Sequence, residues 1–136
     1  MNASGTNADE GYRGKLNTAS FLSGKSILLV EDEFLLALQL EEVLQSHGGT
    51  VRGPYRRLDD AMKAAQRGDF DLAILDINLG GTMVYPLADY LLARGVPFLF
   101  LTGYSQANLP EQFHGVTRLN KPCDAAQLIA TLRAHT

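Results

Sequence analysis

The chain has 136 residues, 46% of them hydrophobic, and a formal charge of -3. That length and composition suit one domain around one core and exclude a chain that stays unfolded throughout. The mild acidity argues against nucleic-acid binding, the single cysteine (Cys123) excludes an internal disulfide, and no apolar run reaches membrane-spanning length. The first residues also lack the charged-then-apolar order of a secretory signal, so a cytoplasmic protein is expected, with no membrane attachment. There is no internal repeat, and no Cys/His cluster has zinc spacing.

Met1 to about Gly24 is rich in Asn, Ser, Thr and Gly and reads as a flexible tail, with Leu16, Phe21 and Leu22 available to dock on the domain. Residues 25–136 then form the folded unit. Lys25 to Val30 is a short apolar run, the pattern of a strand buried on both faces, and it ends in Glu31-Asp32-Glu33. A helix is expected from Phe34 to His47, with Leu36, Leu40, Val43 and Leu44 as its core stripe and Gly48-Gly49 stopping it. Val51 and its neighbours form a weaker strand, near an edge because Pro54 follows. Leu58 to Arg67 is a helix with Ala61, Met62 and Ala65 inward, closed by Gly68.

Leu72-Ala73-Ile74-Leu75 is the second evenly apolar run. It leads into Asp76 and then into a tight turn at Gly80-Gly81. Leu87 to Arg94 reads as a helix with Pro86 in its first turn. Val96 to Leu101 is a third buried run, ending in Thr102-Gly103-Tyr104. A short polar helix is expected over Gln106 to Phe113, and a last strand over Val116 to Leu119, followed by Asn120-Lys121-Pro122. Asp124 and Gln127 have capping-box spacing and open a final helix through Leu128, Ile129 and Leu132. The strand-helix alternation, five times over, implies a parallel sheet with helices on both faces.

In such a sheet the carboxyl ends of the strands share one edge, where open α/β folds keep their sites. Glu31, Asp32, Asp76, Thr102 and Lys121 therefore converge. Three carboxylates against one ammonium leave a charge of about -2, which suits a hard divalent cation such as Mg²⁺ held by oxygen ligands. A metal, an acceptor carboxylate, a hydroxyl and a lysine are the parts that handle a phosphoryl group.

These residues resemble the receiver domains of two-component response regulators, over Lys25 to about Ala134. The resemblance implies a flavodoxin-like (βα)5 fold, doubly wound, with a five-stranded parallel sheet of order 2-1-3-4-5. It implies Asp76 as phosphoacceptor, Glu31 and Asp32 with Asp76 as holders of Mg²⁺, and the backbone carbonyl of Asn78 as a further ligand. Thr102 and Lys121 match the hydroxyl and lysine that sense the phosphoryl group, and Lys121-Pro122 is expected to be cis. Pro97 to Ser105 resembles the narrower subfamily marked by Phe-Ala-Thr-Gly-Tyr, with Leu101 in place of the alanine. Many receivers carry an aromatic switch residue three positions before the lysine; here Arg118 stands there, so Tyr104 is the switch candidate.

The resemblance implies a signalling protein rather than an enzyme, one that catalyses only its own phosphorylation and dephosphorylation. Its phosphodonor would be a histidine kinase or a histidine phosphotransfer protein. With no output domain after the last helix, a stand-alone monomer or weak dimer is expected. It would act on an unknown downstream protein or as a phosphate sink. Phe34 and Leu38 stand opposite the core stripe of their helix and are candidate partner contacts, unless Phe21 and Leu22 cover them.

Other classes remain open. An aspartyl-nucleophile phosphatase usually has a second Asp two residues after the first; Phe34 follows Asp32 at that spacing. A flavin carrier needs a Ser/Thr/Gly-rich phosphate loop where Glu31-Asp32-Glu33 stands. A receiver fold that is never phosphorylated would be a binding module. His47, His114, His135 and the Arg56-Arg57 pair read as solvated, and Cys123 as a small buried residue.

Overall fold

A computed structural model describes residues 20–103 and 108–135. Strand β1 is Ser26–Val30, helix α1 Phe34–Ser46, β2 Thr50–Tyr55, α2 Leu58–Arg67 and β3 Leu72–Asp76. A small hairpin follows, β4 Asn78–Leu79 and β5 Thr82–Met83. Then come α3 Tyr85–Ala93, β6 Phe98–Thr102, a 3-10 turn Glu111–Phe113, β7 Arg118–Asn120 and α4 Ala125–His135. The main sheet is parallel throughout, in the order β2-β1-β3-β6-β7. Counting only its own strands, that is 2-1-3-4-5, the flavodoxin-like arrangement expected. β2 is an edge, as Pro54 indicated.

The three apolar runs lack alternation because both faces of the sheet are covered. Leu28, Val30, Ala73, Leu75 and Phe100 lie on the face packed by α2 and α3, together with Phe113. Ile27, Leu29, Ile74, Leu99 and Leu101 lie on the face packed by α1 and α4. The predicted capping box forms: the Gln127 N–H donates to Asp124 Oδ1 at 2.7 Å, and the Asp124 N–H to Gln127 Oε1 at 3.1 Å. No described helix is long and apolar enough to cross a membrane.

The differences are local. On α1 the buried positions are Ala37, Leu40 and Leu44, with Leu36 and Val43 only packed at the margin. On α2, Ala64 is buried and Met62 half-buried. Small alanines let this helix sit close to the sheet, so the larger methionine is displaced to its flank. α3 begins at Tyr85, two residues before Leu87, because Pro86 fits the first turn and the turn extends back past it. Gly80 and Gly81, with φ of 63° and 102°, make the turn of the β4–β5 hairpin. Two-residue strands are too short to leave a periodicity. The last strand is Arg118–Asn120 rather than Val116 to Leu119, since only those residues register with Phe100–Thr102. Of the polar helix expected over Gln106 to Phe113, the described part is the 3-10 turn; Gln106 and Ala107 lie outside the described residues. Lys121-Pro122 is cis as expected, and Gly53-Pro54 is cis as well.

The segment before β1 joins the core. Leu22 is fully buried, and its N–H donates to the His47 carbonyl at 3.0 Å. The Phe21 ring meets the His47 ring edge-on at 5.5 Å, with the Arg133 guanidinium 4.3 Å over its face. Both residues therefore dock at the far end of α1 and leave Phe34 and Leu38 uncovered; Leu16 lies outside the described residues. Leu22→Ala is expected to cost about 2–4 kcal/mol in urea unfolding, the range for a buried leucine whose site collapses only in part. A loss below about 1 kcal/mol would show that the pocket closes without it.

Candidate functional site

The site follows from strand register. Val30 pairs with Leu75, so Glu31 emerges beside Asp76 at the carboxyl edge. Asp76 pairs with Leu101, which places Thr102 one step beyond. Thr102 pairs with Asn120, which places Lys121 at the same edge. Four positions spread over ninety residues of sequence thus reach one rim because parallel strands all end there.

Glu31 is 0% exposed, Asp76 3% and Thr102 2%, while Asp32 is half-buried. Lys121 Nζ sits among three carboxylates, 2.9 Å from Asp76 Oδ2, 3.0 Å from Glu33 Oε1 and 3.2 Å from Glu31 Oε2. Asp76 Oδ1 accepts the Asn78 N–H at 3.2 Å, and Glu31 Oε2 accepts the Glu33 N–H at 3.0 Å. Glu31 Oε1 is ion-paired with Lys121 Nζ at 3.1 Å but, among the described residues, has no hydrogen-bond partner. One oxygen each from Glu31, Asp32 and Asp76 lie within 4.8 Å of one another.

The electrostatics follow the burial. Loss of solvent, with the Asp76 charge beside it, pushes Glu31 up to about 8. Burial raises Asp76 too, against the opposing pull of Lys121. For Lys121, burial works against its charge, but the hydrogen bonds and charges of Asp76, Glu33 and Glu31 outweigh it and hold the ammonium above its ordinary value. The rim is thus a buried acidic cluster that one lysine neutralises only in part. Clustered oxygens of a hard donor set and a buried Glu31 oxygen without a hydrogen bond are what a divalent cation would satisfy. The residues present fit Mg²⁺.

Other expectations resolve separately. The Thr102 hydroxyl is at the rim, but it donates to the Gly103 carbonyl at 2.7 Å. Asn78 holds the hairpin: its Oδ1 accepts the Gly81 N–H at 2.6 Å while its own N–H reaches Asp76. Tyr104 lies outside the described residues. Glu33 was read only as one of three acids in a row, yet it is the third carboxylate on Lys121. Its position three residues beyond the end of β1 was the available signal. Phe34 and Leu38 are 68% and 42% exposed, and Leu35, unassigned in the sequence reading, joins them at 69%. His114 bonds the Leu109 carbonyl at 2.9 Å and His135 the Thr117 hydroxyl at 3.0 Å, so neither is merely solvated. Burial raises the Cys123 thiol, which fits a structural cysteine.

The family model of the response regulator receiver domain matches residues 27–133. The chain belongs to that family. Among solved structures, this receiver is similar to SdrG from Sphingomonas melonis Fr1, with 37% identity and a TM-score of 0.72 over 81% of this chain and 94% of that one. Among curated proteins it is 29% identical over 111 residues to the phyllosphere-induced regulator PhyR of Methylorubrum extorquens, covering 76% of this chain and 42% of PhyR. It is also 26% identical over 112 residues to the transcriptional regulatory protein PdtaR of Mycobacterium tuberculosis, covering 79% of this chain and 55% of PdtaR. The receiver thus spans about half the length, or less, of these curated relatives.

Proposed function

We propose that this receiver accepts a phosphoryl group on Asp76 from a histidine kinase or histidine phosphotransfer protein, in a Mg²⁺-dependent step. It then passes the signal on by protein contact or acts as a phosphate sink. The observation that carries this is the rim itself, a buried carboxylate clamped by Lys121 beside Glu31 and Asp32 oxygens clustered within 4.8 Å of it. Glu31, Asp32 and Asp76, with the Asn78 carbonyl by family resemblance, would hold the cation. When bound, it offsets the negative charge that phosphoryl transfer brings to the rim.

The chain's own residues account for the remainder. An Asp76 carboxylate oxygen attacks phosphorus, the P–N bond to the donor histidine breaks, and a P–O bond forms. The Asn78 N–H keeps the Asp76 carboxylate oriented through Oδ1. Lys121, already 2.9 Å from Oδ2, pairs with a phosphoryl oxygen once Oδ2 or its partner is esterified. Thr102 reaches that group by turning its hydroxyl away from Gly103. Tyr104, in the Phe-Ala-Thr-Gly-Tyr-like stretch, takes the switch role that Arg118 cannot fill. The folded unit acts as the receiver, and Phe21 and Leu22, which precede β1, belong to it. Intact-mass measurement after incubation with a small phosphodonor tests this. A single adduct that needs Mg²⁺ is expected, and one that forms equally in EDTA would overturn the metal's role.

The donor is expected to dock where Phe34, Leu35 and Leu38 adjoin the rim, since α1 starts one residue after Glu33. Phe34→Ser with Leu38→Ser should slow phosphotransfer from the cognate kinase about tenfold or more, while a small phosphodonor still labels the variant normally. Transfer at the wild-type rate would remove the patch from the contact.

A further inference from the structure

Charge is unevenly distributed over this receiver. The chain is -3 overall, yet Arg52 to Arg67 holds five cations (Arg52, Arg56, Arg57, Lys63, Arg67) against two acids, Asp59 and Asp60. Arg52 donates to the Asp69 carbonyl at 3.0 Å, and Arg57 lies 3.5 Å from Asp59. Arg56, Lys63 and Arg67 have no ion-pair or hydrogen-bond partner among the described residues.

The other four of these cations, Arg56, Arg57, Lys63 and Arg67, line an open concavity of about 740 Å³. On α2, Lys63 and Arg67 stand one turn apart along one flank, with the Asp60 carboxylate a turn before them, so with Arg56 the cations are spread along the groove. A second concavity, of about 720 Å³, is walled by Leu58, Met62 and Leu79 and shares Arg56, Arg57 and Lys63 with the first. The two are therefore continuous across the start of α2, one basic and one with an apolar wall. The first also reaches Asp32 and Gly80, and a methyl group built on Gly80 would come within 3.5 Å of Asp32 Oδ2.

We propose that this groove binds an acidic segment of a partner protein, its carboxylates along Arg56, Lys63 and Arg67 and an apolar side chain against Leu58, Met62 and Leu79. Charge complementarity selects the partner: unpaired cations spread along a groove repel one another and attract an extended anion. The apolar wall selects a peptide over a bare polyanion, because phosphate or polysaccharide brings nothing to bury there. An anionic membrane is disfavoured because a concave groove cannot lie flat on a surface. The groove meets the carboxylate rim at Asp32, so an occupant would sit beside the group that changes charge. As an output contact it rests on the signalling role proposed above; the binding itself does not.

The test uses the full chain in EDTA, without a phosphodonor, so it is independent of phosphorylation. The probe is a fluorescent glutamate peptide with leucines at helical spacing. Anisotropy should show binding that weakens with salt, and amide shifts in NMR should cluster at Arg56, Met62, Lys63, Leu79 and Gly80. Arg56→Glu with Lys63→Glu should weaken it about tenfold or more, whereas Lys25→Glu with Arg94→Glu, the same charge change elsewhere, should weaken it far less. The proposal is overturned if polyglutamate or anionic phospholipid vesicles bind as tightly as the peptide. It also fails if the two double variants behave alike, or if the shifts fall outside the groove. Peptide binding by a chain that never labels at Asp76 would uphold the groove and reject its role in phosphosignalling.

Discussion

Asp76→Asn protein, incubated with Mg²⁺ and acetyl phosphate, is expected to gain no phosphoryl group, while the wild type gains one that hydroxylamine removes. An amide lacks the nucleophilic oxygen of a carboxylate, and an aspartyl phosphate is a mixed anhydride that hydroxylamine cleaves. The neighbours offer poor substitutes. Glu31 is sealed from solvent, and burial holds its carboxyl up to about 8, which disfavours the ionised form that would attack. Glu33 is exposed, but its carboxylate is engaged with Lys121. Asp76, by contrast, is oriented through both oxygens, by Asn78 and Lys121. Loss of the nucleophile should therefore cost on the order of 10³-fold or more in labelling rate. Peptide mapping of the wild-type adduct decides it. An undiminished adduct in the variant, or none in the wild type, would reject Asp76 as the acceptor.

The second large effect is on stability. With no cation bound, three carboxylates crowd within 4.8 Å, and each charged pair repels by roughly 3 kcal/mol at an effective dielectric near 20. Glu31 has a folded-state value of about 8 against an ordinary 4.5. Between those values the folded chain binds the proton more tightly than the unfolded chain does. Unfolding free energy must therefore fall as pH rises from about 4.5 to about 8, with the contribution fully present below that window. One such group gives at most about 1.4 kcal/mol per pH unit, and the raised Asp76 acts in the same direction.

Mg²⁺ competes with that proton, so its stabilising effect should grow with pH; at tenfold excess over its dissociation constant it is about 1.4 kcal/mol. Asp76→Asn removes one charge and one ligand. It should be more stable than wild type in EDTA at pH 8, show a shallower pH slope, and gain less from Mg²⁺. Thermal melts of both proteins at pH 5 and pH 8, with EDTA and with Mg²⁺, measure all of this. A variant less stable in EDTA would mean that the Asp76 hydrogen bonds outweigh the repulsion. An equal Mg²⁺ shift in both proteins would place the cation elsewhere.

The elements that carry the rim were legible because their signals are strong and local. Ile27–Val30, Leu72–Leu75 and Phe98–Leu101 are unbroken apolar runs, and each ends in a polar group. A parallel sheet leaves those groups, and Lys121 after the last strand, on one edge, so Glu31, Asp76, Thr102 and Lys121 converge on sequence pattern alone. The α2 boundaries came from Gly68, and the start of α4 from the Asp124–Gln127 capping pair, both short-range signals. The Lys121-Pro122 geometry came from family resemblance alone.

What only the tertiary structure decided depends on distance and solvent. Glu33 lies just past the end of β1, but whether it reaches Lys121 depends on how the chain leaves that strand. The Thr102 hydroxyl turned to Gly103, the Glu31 oxygen without a hydrogen bond and the raised Glu31 value all follow from burial that no residue encodes alone. Phe21 and Leu22 could have covered Phe34, but their docking depends on where α1 ends relative to β1. Arg56 and Arg57 read as an ordinary solvated pair, and the groove they share with Lys63 and Arg67 exists only once α2 lies beside Leu79 and Gly80. Periodicity reports which face of an element meets the core. The company kept by an exposed side chain is set by the neighbours that packing brings to it.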